Sequence, residues 1–514
     1  MVERVAIIGA GISGLCTAKL LMTLGYDVEV FDKEAEVGGV WAASRRYPGL
    51  ATQNPKDTYA FSDFPMPADY PEWPSGSQMQ AYLRAYADHF GVTRALSLST
   101  GVLRAEPKAD GSGWTLVTQP VGQPDAAPAA RAFDWLIVCN GIFSIPSVPD
   151  YPGIDAFRAA GGAVLHTSEF TRLEDARGKR VVVIGYGKSS CDVANATVGV
   201  SAHTTVLARH LIWKIPKRIG DAVNFKHLFL TRMGEALFPY IELRGVERFL
   251  HGPGRFLRNG MLALVQGIIS RQLRLGRIGL EPKTPLETIA KSTVSLVSDG
   301  FYQKIEDGRM TLMEDEIAAL EPGRILMKRG ESLPADIIVC GTGWRQRADF
   351  LPDAVLAKVT DREGNFRLYR STLPVGVPRL LFNGYNSSFF SQLSAEVGSF
   401  WIAEHMAGRI ALPDESVQNR WIDRRLGWMD RRTGGKHCKG TNIVPFSLHH
   451  IDEILRDIDL SLPASTRLIQ WLRAVDARQF APLPEKLIAR RRGDKRDLGL
   501  SRHPELVSGS ISPD

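Results

Sequence analysis

Two short stretches restrict what this chain can fold into more than anything else in it. Val5 to Leu15 reads VAIIGAGISGL, and Val181 to Asp192 reads VVVIGYGKSSCD. In each, four apolar residues run into a glycine-containing turn, and helix-forming residues follow. A short, wholly apolar strand is buried on both faces, as in a parallel sheet covered by helices. The turn Gly9-Ala10-Gly11-Ile12-Ser13-Gly14 gives its three glycines separate tasks. They allow a sharp turn, close approach of the backbone to a pyrophosphate, and close packing of helix on strand. The helix expected over Ile12 to Leu24 points free N–H groups at the anion. Val28 to Phe31 reads as the next strand, and Asp32 at its end can accept hydrogen bonds from ribose hydroxyls.

The second turn is Gly185-Tyr186-Gly187-Lys188-Ser189-Ser190. Ser190 replaces the third glycine with a residue that is still small, and Lys188 brings positive charge toward the phosphates. The strand expected at Thr204 to Ala208 ends in Arg209-His210 rather than in an acid. An acid there would repel a 2′-phosphate, and an arginine would attract one. The second site is therefore expected to prefer NADPH. The alternative for Arg209 is a solvated surface side chain. Two nucleotides in one chain suggest hydride passage from NADPH to a flavin that can react with dioxygen, with FAD on the first turn. The fold class that follows is α/β: two Rossmann-like dinucleotide-binding domains, for FAD and NADPH, with a helical insertion in the NADPH domain.

The 514 residues leave room for two to four domains with buried cores. A net charge of +7 is mild for this length, suits an anionic cofactor and does not call for nucleic acid. Cys16, Cys139, Cys191, Cys340 and Cys438 form no close pair, which argues against a disulfide framework, a metal site and a dithiol redox centre. That usage fits a reducing cytoplasm. A glycine turn starting at residue 9 leaves no room for a signal peptide, and no apolar run is long enough to span a bilayer.

Along the chain, residues 1–153 read as the first part of the FAD domain. Residues 154–332 read as the NADPH domain, with the helical insertion at about 220–285. Residues 333–485 read as the second part of the FAD domain with C-terminal helices, and 486–514 as a disordered polar tail. Tyr47 to Gly76 is rich in Pro, Asp and aromatic residues and reads as irregular but packed. Asn224 to Leu280 mixes apolar and basic residues. A helical insertion packed on its own domain is the first reading, with a lid or a membrane-surface patch as alternatives.

Further motifs carry a resemblance. GGVW at Gly38 to Trp41 is similar to a flavin-side GGxW, and Thr52-Gln53-Asn54-Pro55-Lys56 to a Thr-Asn-x-Pro-Lys segment. AGGAVLHTSEF, Ala160 to Phe170, is similar to the fingerprint FxGxxxHxxxF, and Asp336 to Trp344 to a late Thr-Gly motif. On these the chain resembles the class B flavoprotein monooxygenases, closest to the dimethylaniline N-oxide-forming type and related to the Baeyer-Villiger enzymes. The likeness reaches to about Pro413.

The resemblance implies cofactor contacts from both turns, including Ala10, Ile12, Ser13 and Ser189. It implies further contacts from Gly39, Val40, Trp41, Thr52, Gln53, Asn54, Thr342 and Gly343. It makes Gln53, Asn54 and His166 the catalytic candidates, with a structural histidine as the alternative for His166. Ala160 departs from the fingerprint's first Phe, and Gln53 from the usual Asn. The implied cycle reduces FAD with NADPH and forms a hydroperoxyflavin, which oxygenates an amine nitrogen or a sulfide sulfur of a small organic substrate. Baeyer-Villiger oxygenation, an uncoupled NADPH oxidase making peroxide, and a non-enzymatic FAD-binding sensor stay open as alternatives. A homodimer follows by analogy alone.

Overall fold

The computed structural model describes residues 2–291, 295–386, 388–435 and 448–493. Two five-stranded parallel sheets organise them. Across the first sheet run Leu380–Phe382, Trp135–Val138, Arg4–Ile8, Asp27–Phe31 and Leu96–Ser97. Across the second run Thr311–Glu314, His203–Ala208, Arg180–Ile184, Ile337–Cys340 and Ala163–His166. In both, the strand that enters a glycine turn is central, and its neighbours leave in opposite directions along the chain. That is the switch point where open α/β sheets bind ligands.

The duplication runs deeper than the two turns. Each half inserts a three-stranded antiparallel sheet before its return strand: Thr100–Pro107, Trp114–Pro120 and Ala129–Phe133 in one, Ile317–Glu321, Arg324–Met327 and Ser332–Pro334 in the other. Equivalent backbone bonds fix the correspondence. Gly9 N–H donates to Phe31 O at 2.8 Å, and Gly185 N–H to Leu207 O at 2.9 Å. Cys139 and Gly341 donate to Ile8 O and Ile184 O, both at 2.8 Å. Thr100 and Asp315 donate to Asp32 O and Ala208 O, at 2.9 and 3.0 Å. Apart from the glycines and Ile8 and Ile184, the side chains at these positions differ, so the sequence hides much of a repeat that the backbone displays.

Two boundaries need correction. The division at 333 precedes Ile337–Cys340, which pairs in the second sheet with Arg180–Ile184 and Ala163–His166. A buried apolar strand reads alike in either sheet, so its sequence did not say which it joins. The tail does not begin at 486: the helix Pro482–Gly493 continues through it and buries Leu487 and Arg491. Residues 494–514 and Cys438 lie outside the described residues.

The two links between the halves lie side by side. Ile145–Pro146 pairs antiparallel with Trp344–Arg345, and Ser147 N–H donates to Gly343 O at 3.0 Å. Tyr47 to Gly76 is irregular and packed as expected, with Thr52, Asn54, Thr58, Phe61 and Ser62 all buried.

Asn224 to Leu280 is mainly helical: Lys226–Phe229, Arg232–Ala236, Val246–His251 and Arg255–Gln272. It docks on the C-terminal helices. Arg232 grips Asp452 with two bonds of 2.7 and 3.0 Å. His449 sits between Glu235, at 2.8 Å, and Glu247, with the Tyr240 ring stacked 4.4 Å away. Burial alone would lower the His449 pKa, but the two carboxylates raise it to about 10. The imidazolium thus ties the insertion to the opposite half.

Candidate active site at the two glycine turns

Gly9, at φ +113°, makes the first turn, and a Cβ there would lie 2.5 Å from Cys139 O. Gly14 packs closer still: its Cβ would lie 1.8 Å from Gly9 O. A Cβ on Gly11 would meet only Gly39, at 3.6 Å, so two glycines face one another across the mouth of the turn. The helix Ile12–Thr23 begins there with no side-chain cap and no acid in its first turn. Its free N–H groups and dipole suit a pyrophosphate. Ala10 N–H donates to Asp32 at 2.6 Å, and Glu34 N–H donates to the other carboxylate oxygen at 2.9 Å. Asp32 therefore braces the turn as well as ending its strand, and burial raises its pKa. Gly39, Val40 and Trp41 form a single 3-10 turn, with Trp41 edge-on to Tyr59 at 6.0 Å. Ser13 is buried under the chain at Gly384, where a Cβ would lie 2.6 Å from its hydroxyl.

The second turn keeps the geometry and changes the side chains. Gly185 has φ +105°, and a Cβ on Gly187 would meet nothing within 4 Å, leaving room for an anion. The helix Lys188–Thr197 also starts without a side-chain cap or an acid. Ser190 is tolerated because its neighbour across the sheet is Gly341, where a Cβ would strike the serine hydroxyl at 1.9 Å. The residue equivalent to Asp32 is Ala208, and Arg209 follows it, exposed and with no hydrogen bond or ion pair among the described residues. Lys188 is not a free charge, since it pairs with Asp192 one helical turn on. Ser189 is half-buried at the helix start.

Gln53 and Asn54 lie where the two halves meet. Gln53 Oε1 accepts the Leu296 N–H at 3.2 Å, and Leu296 bridges to Ile215 of the second half. Its Nε2 makes no protein hydrogen bond among the described residues. Asn54 is 1% exposed, its Nδ2 donates to Phe389 O, and its Oδ1 has no partner. Thr52 Oγ1 donates to Asn54 O at 2.8 Å.

His166 stands elsewhere. Its Nε2 meets Gly343 O at 3.0 Å, its Nδ1 meets the Ser168 hydroxyl at 2.9 Å, and Ser168 N–H donates to Nδ1 at 3.2 Å. Both ring nitrogens are engaged, as in a neutral Nε2–H tautomer, and burial lowers the pKa. No hydrogen bond joins it to Gln53 or Asn54. The fingerprint's glycine has a steric reason: the Phe157 ring would lie 2.3 Å from a Cβ on Gly162. Thr342 and Gly343 sit in the link between the halves, Thr342 donating to Ser147 O.

Sequence reasoning missed Trp344, Arg45 and Lys214. Trp344 contacts His166 at 4.6 Å and Phe143 at 6.0 Å, and Arg45 lies 5.0 Å over its ring. Lys214, 1% exposed, donates to Tyr186 O at 2.7 Å and Ser295 Oγ at 2.9 Å. Its lowered pKa comes from burial. A lysine between Trp213 and Ile215 reads as a solvated strand position. Only the spacing Gly341-Thr342-Gly343 offered a signal, a small residue for Ser190 to pack on.

The residues present fit both cofactors: two uncapped helix starts at open glycines, an acid beside one and an arginine beside the other. Among the described residues no helix is long and apolar enough to cross a membrane. A family profile described as flavin-binding monooxygenase-like matches residues 2–463. Human flavin-containing monooxygenase 2 is 27% identical, over 83% of this chain and 77% of its own length. Dimethylaniline monooxygenase (N-oxide-forming) 2 of Pan troglodytes gives the same figures. Among solved structures, S-allyl-L-cysteine S-oxygenase from Allium sativum shares the fold with a TM-score of 0.62 at 19% identity, covering 96% of this chain and 98% of its own. Cyclohexanone monooxygenase from Rhodococcus sp. Phi1 bound to NADP+ does so with a TM-score of 0.65 at 18% identity, covering 89% and 98%. With two nucleotide turns on one repeated frame, the chain belongs to the flavin-binding monooxygenase-like family and is an FAD- and NADPH-dependent monooxygenase.

Proposed function

We propose that this monooxygenase oxygenates a soft nucleophile, an amine nitrogen or a sulfide sulfur, with FAD on the first turn and NADPH on the second. Two electrons from NADPH and two from the substrate reduce dioxygen. One oxygen atom ends in the N- or S-oxide and the other in water. Bound FAD supplies the oxygen-transfer chemistry. The chain positions, orients and excludes water.

The observation that carries this reading is the pair of carboxamides where the halves meet. Gln53 is pinned through Oε1 to Leu296, which leaves its two Nε2 protons to donate. Asn54 presents a buried, unpartnered Oδ1. A carboxamide donor and a carboxamide acceptor suit a nicotinamide carboxamide together with a polar oxygen species. His166 takes a positioning role: neutral and bonded on both nitrogens, it holds Gly343 and the link that follows. The printed name of a curated relative, N-oxide-forming, supports a heteroatom, while cyclohexanone monooxygenase shares the fold and keeps the ketone as the second reading. The outward stripe of Phe256, Leu257, Met261 and Leu264 on Arg255–Gln272 supports a peripheral membrane contact.

The test reduces the FAD-loaded protein anaerobically with NADPH, adds aerated buffer with an amine, a sulfide or a ketone, and measures product against NADPH used. N- or S-oxide formation is the expected result, and turnover of the ketone alone overturns the reading. Gln53→Ala should keep its rate of flavin reduction, form less product per NADPH and release the difference as hydrogen peroxide. Unchanged coupling in that variant removes Gln53 from the site.

A further inference from the structure

In the first turn the carbonyl of Ala10 accepts a backbone N–H, from Gly38, at 3.0 Å. The equivalent carbonyl of the second turn, Tyr186 O, accepts the ammonium of Lys214 at 2.7 Å instead. That ammonium is fully enclosed. It also bonds Ser295 Oγ at 2.9 Å and lies 4.2 Å from the centre of the Tyr186 ring. In a trans peptide the C=O and the following N–H point in opposite directions. Holding Tyr186 O toward Lys214 therefore turns the Gly187 N–H away from it, and that N–H makes no protein hydrogen bond among the described residues. Gly187 is also where a side chain would meet open space.

Charge points the same way. Asp192 is paired with Lys188, so Lys214 leaves a net positive charge behind the turn. A buried ammonium without a carboxylate of its own is costly, and a bound dianion in front of the turn offsets that cost.

We propose that Lys214 is a positioning residue for NADPH. It fixes the Tyr186–Gly187 peptide with its N–H presented to the pyrophosphate and adds a buried positive charge behind it. This rests on the reading that the second turn holds NADPH.

Equilibrium binding of NADP+ and of adenosine 2′-monophosphate to the FAD-loaded protein tests it. The second probe carries the 2′-phosphate but no pyrophosphate. Lys214→Met should weaken NADP+ about tenfold or more, leave the 2′-monophosphate within about twofold, and keep FAD content unchanged. The Michaelis constant for NADPH should rise while flavin reduction at saturation is retained. Equal weakening of both probes, or of neither, overturns the role. If Lys214→Met does not fold, Ser295→Ala carries the test, with a loss of two- to fivefold for NADP+ and none for the 2′-monophosphate. Failure of the wild type to bind the 2′-monophosphate overturns the assignment of the second turn itself.

Discussion

The two glycine turns share a strand, a register and a set of backbone bonds, yet each meets its nucleotide with different chemistry. Where one presents Asp32, the other has Ala208 followed by a free Arg209. Gly14 packs against the Gly9 carbonyl in the first, and in the second Ser190 packs beneath Gly341. A backbone N–H holds the turn in the first and a buried ammonium in the second. The frame thus needs a small residue at the helix start and a fixed carbonyl direction. Which nucleotide is taken is written in three or four side chains around it.

The small residues Gly14 and Ser190 offer the sharpest way to break this comparison. Gly14→Ser should cost about 3 kcal/mol or more and empty the flavin site, because its Cβ meets rigid backbone. Ser190→Gly should cost only about 1 kcal/mol, the propensity penalty of glycine in a helix. FAD content and thermal unfolding read both, and equal costs would mean that the Gly9 carbonyl does not restrict position 14.

Next in size is the choice of nucleotide. Arg209→Ala should raise the Michaelis constant for NADPH by about 10- to 100-fold, the loss of a charged hydrogen bond of about 1.5–3 kcal/mol. NADH should change by less than about threefold. Parallel changes in both would separate Arg209 from the 2′-phosphate.

Smallest is a difference in acid sensitivity. His166 is buried neutral in the second half, with a pKa below the ordinary 6.5. The unfolded chain therefore binds more protons as the pH falls below about 6.5, and the stability that His166 contributes is lost there. Protection factors at Ala163–His166 and Trp344–Arg345, taken against the intrinsic exchange rate, should fall below that pH before those at Arg4–Ile8 do. His166→Gln should flatten the difference, and a fall in both halves together would assign the sensitivity to other groups.

Local signals were legible in the sequence. Each glycine turn declares itself within a dozen residues, and so does the acid or arginine after its second strand. Signals that need a distant partner were not. Ser190 is explained only by Gly341, 151 positions away. Lys214 takes its meaning from Tyr186 and Ser295. Thr342 and Gly343 enter as cofactor contacts through the resemblance of the late Thr-Gly motif, and their bonds to Ser147 and His166 were not legible in it. The strand Ile337–Cys340 was visible as a strand, but apolar residues carry no mark of the sheet they enter.

The paired links Ile145–Pro146 and Trp344–Arg345 have a mechanical consequence. A single tether lets two bodies twist freely about it. Two antiparallel segments clamped by hydrogen bonds form a flat strap, which flexes easily across its thin dimension and resists torsion. The halves are also tied through Arg232 and His449, so the strap sets a direction for bending without being their sole link.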